Sequence, residues 1–75
     1  MKELTLYLIK NLADHPDSVS VNENEENGVM HLRVKVAEED KGRVIGKDGR
    51  VIKAIRALIG ALAAKEGKRS YVQVD

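Results

Sequence analysis

Cysteine, tryptophan and phenylalanine are absent from this 75-residue chain, which contains one proline and two tyrosines. Without cysteine there is no disulfide bond, no thiol nucleophile and no cysteine-based zinc site. No apolar run approaches the ~18 residues that cross a membrane, and the first residues, Met1 to Leu4, lack the pattern of a signal peptide. We therefore expect one soluble, cytoplasmic domain over residues 1–75, too small for a two-lobed enzyme with a deep cleft.

Charge is distributed unevenly along the chain, although its sum is only +1. Residues 1–40 carry four basic and nine acidic side chains, whereas residues 41–69 carry nine basic and two acidic ones. Positive charge concentrated in this way suits a polyanion such as nucleic acid. A solvated helix face with ordinary lysines and arginines explains the same charges, so charge alone leaves both interpretations open.

Hydrophobic periodicity predicts six elements in the order αββααβ. The predicted helices cover residues 2–14, 38–45 and 50–65, and the predicted strands cover residues 18–24, 30–36 and 71–74. Asn27-Gly28 is a strong hairpin signal, because both positions tolerate positive φ angles. The second helix begins with three acidic residues, which suit the positive end of a helix dipole, and Gly67 is placed to end the third helix.

A short glycine loop, Gly46-Lys47-Asp48-Gly49, joins the second and third predicted helices. It opens onto the N-terminus of helix 50–65, where free N–H groups and the helix dipole favour an anion. With the charges of Lys47 and Arg50, the loop can hold a phosphodiester backbone without reading bases. A simple turn is the alternative interpretation of so short a motif. The aliphatic residues that could floor a groove for bases beside it are Val44, Ile45, Val51 and Ile52.

The longer string from Arg43 to Ile55, RVIGKDGRVIKAI, resembles the V-I-G-x-x-G-x-x-I signature of the KH domain, a module for single-stranded nucleic acid. The order of elements resembles the type II, prokaryotic KH fold over essentially the whole chain. This resemblance implies an α+β domain with a three-stranded mixed sheet and three helices on one face. In length and in its N-terminal helix, the chain resembles the KhpA family of small bacterial RNA-binding proteins.

The resemblance implies that the loop clamps about four nucleotides of single-stranded RNA beside an aliphatic groove. The residues implied to contact RNA are Arg43, Val44, Ile45, Gly46, Lys47, Asp48, Gly49, Arg50, Ile52 and Lys53. Asp48 departs from a doubly basic loop and is expected to weaken binding modestly. A role as an RNA chaperone or post-transcriptional regulator follows from the resemblance alone. Single-stranded DNA stays open as a ligand, because KH folds bind either nucleic acid.

Small residues follow one arc of the third helix: Ala54, Ala57 and Ala61, bordered by Leu58 of its apolar stripe. They reflect either the helix propensity of alanine or a face that lets a second helix approach closely. The resemblance implies a homodimer, or a heterodimer with a larger KH protein of the Jag (KhpB) type. A protein-interaction subunit that uses the KH fold for dimerisation is therefore the alternative function.

Neither an enzyme nor a cofactor is expected from the remaining motifs. Residues 42–48 match a P-loop poorly, since three residues rather than four separate the glycines and Asp48 replaces the Ser or Thr that meets Mg²⁺. His15 and His31 stand apart from any cluster of metal ligands, so no metal site is predicted. The scarcity of aromatic residues argues against a base-stacking sheet surface, and Tyr71 is expected to pack in the core or at an edge.

Overall fold

The chain forms the six predicted elements in the predicted order. A computed structural model describes all 75 residues. The helices are α1 (Lys2–Leu12), α2 (Lys41–Ile45) and α3 (Arg50–Lys65), and the strands are β1 (Ser20–Glu26), β2 (Val29–Lys35) and β3 (Arg69–Val74). Single turns of 3₁₀ helix cover Pro16–Ser18, Glu38–Asp40 and Lys47–Gly49.

The three strands form the predicted mixed sheet, and their order in it is β1-β2-β3. β1 and β2 are antiparallel, and Asn27 and Gly28 connect them with φ angles of +53° and +77°. These left-handed conformations are the ones that a two-residue hairpin turn requires. β2 and β3 are parallel, so the chain between them must cross over, and α2 and α3 form this crossover.

Alternation along the strands separates a buried face of the sheet from an open face. Leu32 and Val34 of β2 are fully buried, whereas His31 between its buried neighbours is exposed. Each fully buried aliphatic side chain of this size stabilises the fold by about 1.5–3 kcal/mol. The same core cluster receives one fully buried side chain from each helix: Ile9, Val44 and Ile59. The helices therefore cover one face of the sheet and leave the other open, which confirms the predicted fold class.

Asp40 joins the end of α1 to the start of α2. It is 1 % exposed, and its carboxylate oxygens accept the backbone N–H groups of Asp14, at 3.0 Å, and His15, at 2.9 Å. Burial raises the pKa of Asp40, but these two donors and the nearby charges of His15 and Arg43 outweigh it, so the pKa lies below its ordinary value of 3.8. Because Asp40 binds these two N–H groups, α1 ends at Leu12 rather than at residue 14.

Strand boundaries also differ from the prediction by about two residues. β1 runs to Glu26 and β3 begins at Arg69, because Val29 at the start of β2 pairs with both of them. The polar run before Asn27 hides this extension, since it has no apolar alternation. Residues 38–45 divide into a 3₁₀ turn and the short helix α2 instead of forming one helix.

α3 has the predicted bounds and ends at the predicted glycine. Gly67 has a φ angle of +72°, and the N–H groups of Gly67 and Lys68 donate to the carbonyls of Ala64 and Ala63 at 3.0 Å. This pattern is a Schellman motif, which satisfies the last carbonyls of a helix.

Two side chains of α3 have positions that the sequence pattern did not predict. Leu58, assigned to that stripe, is 44 % exposed and faces away from the core. Arg56 reaches the edge strand β3, where its Nε donates to the carbonyl of Val72 at 3.0 Å.

Candidate nucleic-acid interface

Gly46 turns the chain sharply between α2 and α3. Its φ and ψ angles of +78° and 172° belong to a region that is essentially restricted to glycine. A Cβ at this position would lie 2.5 Å from Cγ2 and 2.9 Å from the backbone nitrogen of Val51. The backbone of the loop therefore packs directly against the first turn of α3, and the site requires glycine here.

The next three residues form one exposed turn that leads into α3. Lys47 and Asp48 are exposed, and Asp48 and Gly49 have left-handed φ angles of +56° and +73°. Aspartate adopts this conformation more readily than most residues, so the backbone conformation explains why an acidic residue occurs in the loop. No side chain caps the N-terminus of α3. The loop thus presents Lys47 and Asp48 to solvent, while the N–H groups of Gly49 and Arg50 donate to the carbonyls of Gly46 and Lys47 within the turn.

Three exposed cations lie in or beside the loop: Lys47, Arg50 and Lys53. None of them takes part in an ion pair within the chain. The Cε atom of Lys53 lies 3.8 Å from the position that a Cβ of Gly49 would occupy, so its stem runs back toward the loop. Arg43, also predicted as a contact, instead pairs with Asp14 at 3.2 Å, which partly neutralises its charge.

The aliphatic residues of the motif divide between the core and the surface. Val44 and Ile52 are 0 % and 5 % exposed and belong to the core, so they support the loop from beneath and present no surface to bases. Ile45 is 39 % exposed, and Val51 is partly exposed. The predicted groove therefore cannot be floored by Val44 and Ile52.

An apolar groove of about 450 Å³ does lie beside the loop, between α1 and α3. Its lining residues are Leu8, Asn11, Leu12, Arg50, Val51, Ala54 and Ile55. The sequence interpretation missed the wall formed by Leu8 and Leu12, because only the packing of α1 beside α3 brings them near the motif. The available signal was the i, i+4 spacing of Leu4, Leu8 and Leu12 along α1.

The predicted interaction face of α3 is exposed throughout: Ala54, Ala57, Leu58 and Ala61. Leu58 is the one large apolar side chain on it. Ala54 also lines the groove, so the face and the groove adjoin. We call these four residues the α3 face.

Other predicted features are placed away from the loop. His15 faces Glu39 at 3.4 Å, and His31 stacks on Tyr71 on the open face of the sheet. Tyr71 lies on the edge strand β3, which is the edge alternative of the prediction, and at 57 % exposed it does not pack in the core. The structure contains no group of three or more potential metal ligands and no helix long and apolar enough to cross a membrane.

A three-stranded mixed sheet under three helices, with a GxxG turn opening onto the third helix, defines a KH domain of type II. The family model described as KhpA/KhpB, KH domain, matches residues 2–74. The chain is similar to proteins named RNA-binding protein KhpA. The one from Clostridium acetobutylicum is 49 % identical over 99 % of both chains, and the one from Caldanaerobacter subterraneus subsp. tengcongensis is 47 % identical over the same share. The one from Listeria monocytogenes is 40 % identical over 99 % of this chain and 97 % of its own. The chain therefore belongs to the KhpA/KhpB family of KH-domain proteins.

Proposed function

We propose that this protein binds single-stranded RNA at the Gly46–Gly49 loop and catalyses no reaction. The observation that carries the proposal is an exposed, uncapped turn at the N-terminus of α3 with three unpaired cations around it. Similar proteins bear the name RNA-binding protein, which supports RNA as the ligand. About four nucleotides is the length that such a loop clamps in KH domains.

In this proposal the loop and the groove hold different parts of the strand. Phosphates meet the N–H groups at the start of α3 and the side chains of Lys47 and Lys53. Arg50 lines the groove at the loop end and can follow the backbone as it passes. Bases rest on the aliphatic walls formed by Leu8 and Val51. Such walls offer few hydrogen bonds, so we expect weak discrimination between bases.

Weak discrimination fits a general role in handling transcripts. We therefore propose an RNA chaperone or a post-transcriptional regulator acting in the cytoplasm. A single domain that contacts four nucleotides has modest affinity, and two linked copies would raise it through effective concentration.

A charge reversal in the loop tests the proposal directly. Lys47→Glu removes one cation and adds one anion near the phosphates. Each change is worth about 0.7–1 kcal/mol at 4–6 Å in water, which together predicts about a 10-fold to 30-fold loss of affinity. The matched control is Lys65→Glu, at the other end of α3 and about 22 Å away along the helix. Fluorescence anisotropy with a labelled RNA tetramer or octamer measures both variants.

The salt dependence of the same titration gives an independent measurement. Three or four phosphate contacts predict a slope of about −2 to −3 for the logarithm of the binding constant against that of the salt concentration. Lys47→Glu is expected to make the slope shallower. If Lys47→Glu and Lys65→Glu both bound RNA with the affinity of the unchanged protein, the loop would not be the RNA-binding site.

The α3 face supports a second candidate function, association with another KH domain. Leu58 is 44 % exposed among small residues that allow close approach of a second helix. We propose that this face joins two copies, or one copy and a KhpB-type protein. Sedimentation at micromolar concentration is expected to show a dimer for the unchanged protein and an 8.3 kDa monomer for Leu58→Asp. A monomer for both would contradict this candidate and leave RNA binding standing.

A further inference from the structure

The open face of the sheet carries an exposed aromatic pair that the loop does not use. His31 on β2 and Tyr71 on β3 are directly paired in the parallel register. Their ring centroids lie 5.6 Å apart with an interplanar angle of 16°, and Tyr71 is 57 % exposed. The core gains nothing from this ring, because Val72 supplies the buried side chain at this part of β3.

A shallow cavity of about 330 Å³ lies beside the aromatic pair. Besides the two aromatic residues, its lining residues with hydrogen-bonding side chains are Asn22, Asn24, Glu26, Arg33 and Gln73. Asp75 fixes one border of this cavity, because its carboxylate accepts Arg33 at 3.0 Å and Gln73 at 3.4 Å. We call the cavity with its aromatic pair the sheet-face pocket.

The chemistry of the sheet-face pocket suits a nucleobase. Aromatic rings of tyrosine and histidine stack on unpaired bases in RNA complexes, and side-chain amides bond to base edges. Asn22 and Asn24 are exposed on the open face of β1, where Asn24 is paired with His31 and Asn22 with Arg33. Planar contact and edge recognition are thus available in one place, on a face that no other part of the chain covers.

Charge on this face indicates a base within a strand rather than a free nucleotide. The outward-facing cations Arg33, Lys35 and Arg69 outnumber the acidic groups Glu26 and Asp75. Arg33 is already paired with Asp75, so the pocket has no cluster of free cations to hold the phosphates of a mononucleotide. The slight excess of positive charge on this face does not repel an RNA strand. If the strand is bound at another site on the protein, one of its bases is present at the pocket at high effective concentration.

We propose that the sheet-face pocket binds one base of single-stranded RNA, stacked against Tyr71 and His31. The inference rests on the proposed function for its ligand, but it uses none of the residues of the loop. It assigns an RNA contact to the sheet, although the scarcity of aromatic residues argues against a base-stacking sheet surface.

Tyrosine fluorescence tests the stacking directly, because the chain has no tryptophan and only two tyrosines. In Tyr7→Phe, Tyr71 is the only emitter. Titration with an RNA octamer is expected to quench its emission. The control ligand is an abasic octamer, which has the same phosphates and no bases, and it is expected to leave the emission of Tyr71 unchanged.

Affinity measurements on matched variants complete the test. Tyr71→Thr removes the ring but suits a strand, and it is expected to lower octamer affinity about 5-fold or more, as the loss of one stacked base does. Tyr71→Phe keeps the ring and is expected to bind like the unchanged protein. His31→Thr, a second variant on the same face, is expected to weaken binding in the same direction.

The possible failures are distinguishable. Octamer binding with unchanged Tyr71 emission and unchanged affinity of Tyr71→Thr overturns the pocket and leaves RNA binding at the loop intact, with the face then open to a protein partner. Full affinity of Lys47→Glu, together with quenching of Tyr71, overturns the loop and supports the pocket. If no octamer binds the unchanged protein, both proposals fail.

Discussion

The two glycines of the loop are predicted to differ sharply in what they tolerate. Replacing Gly46 with alanine would place a Cβ 2.5 Å from a methyl of Val51 and 2.9 Å from its backbone nitrogen, so something must shift. At Gly49 the nearest atoms are 3.8 Å and 3.9 Å away, which is ordinary contact. Both residues have positive φ angles, but only Gly49 lies in the left-handed helical region, which other residues can adopt.

The geometry sets the size of the two effects. For Gly49→Ala, the left-handed conformation costs about 1–2 kcal/mol, partly offset by about 0.4–1 kcal/mol from a less flexible unfolded chain. For Gly46→Ala, a conformation nearly restricted to glycine costs about 1–3 kcal/mol, and overpacking against Val51 adds about 1–3 kcal/mol. We expect Gly46→Ala to be about 2–3 kcal/mol more destabilising, a large share of the roughly 4–11 kcal/mol available to a domain of this size.

Urea denaturation followed by far-ultraviolet circular dichroism measures both changes. Gly67→Ala is the control, because Gly67 has a φ angle of +72° and nothing within 4 Å of a Cβ. It is expected to match Gly49→Ala, whereas the free energy of unfolding of Gly46→Ala is expected to be about 2–3 kcal/mol lower than that of either, with its urea midpoint lowered in proportion. Equal free energies of unfolding for the Gly46 and Gly49 variants, within about 0.5 kcal/mol, would refute the packing argument.

Three further changes test other parts of the structure. The lowered pKa of Asp40 means that its contribution to stability is present above pH ~3.8 and is lost as the pH falls through the lower folded value. Between pH 6 and pH 3 the melting temperature should fall less steeply for Asp40→Asn than for the unchanged protein. Parallel curves would count against a contribution of the Asp40 carboxylate to stability. Asp48→Asn keeps a residue that tolerates positive φ but removes an anion. RNA affinity in the anisotropy assay should therefore rise about 3-fold, which is the effect of one charge about 6 Å from a phosphate in water. A decrease would mean that Asp48 contacts the ligand favourably. Arg56→Met removes the hydrogen bond to Val72 and should lower the free energy of unfolding in urea by about 0.5–1.5 kcal/mol, and no change would mean that water replaces the bond fully.

The fold was largely predictable because its strongest signals are local. Alternation defines β2, Asn27-Gly28 defines the hairpin, and the helical spacing between the loop and Gly67 defines α3 to the residue. Asp40 was not predictable as a link, because its partners are backbone N–H groups of Asp14 and His15 rather than any residue type. The polar end of β1 was missed for a similar reason, since strand pairing and not side-chain pattern extends it.

The candidate site was predictable in its loop and not in its surroundings. The glycine spacing and the nearby cations are contiguous in sequence, so they could be identified without coordinates. The packing of α1 decides which aliphatic residues reach the surface. The groove is therefore lined by Leu8 and its neighbours rather than by Val44, as the sequence had predicted. Tyr71 does lie at an edge, but composition only counts aromatic residues and does not show that this one lies beside His31 on an open face.

The hydrogen bond from Arg56 to Val72 bears on how copies of this protein meet at high concentration. β3 is an edge strand, and a free edge invites a neighbouring strand to extend the sheet into an aggregate. Arg56 already occupies one carbonyl of that edge, and the opposite edge, β1, carries Glu23 and Glu26, which repel a like strand, while Glu25 is paired with Lys68 at 2.7 Å. Sheet extension into fibres is thus disfavoured at both edges of the sheet.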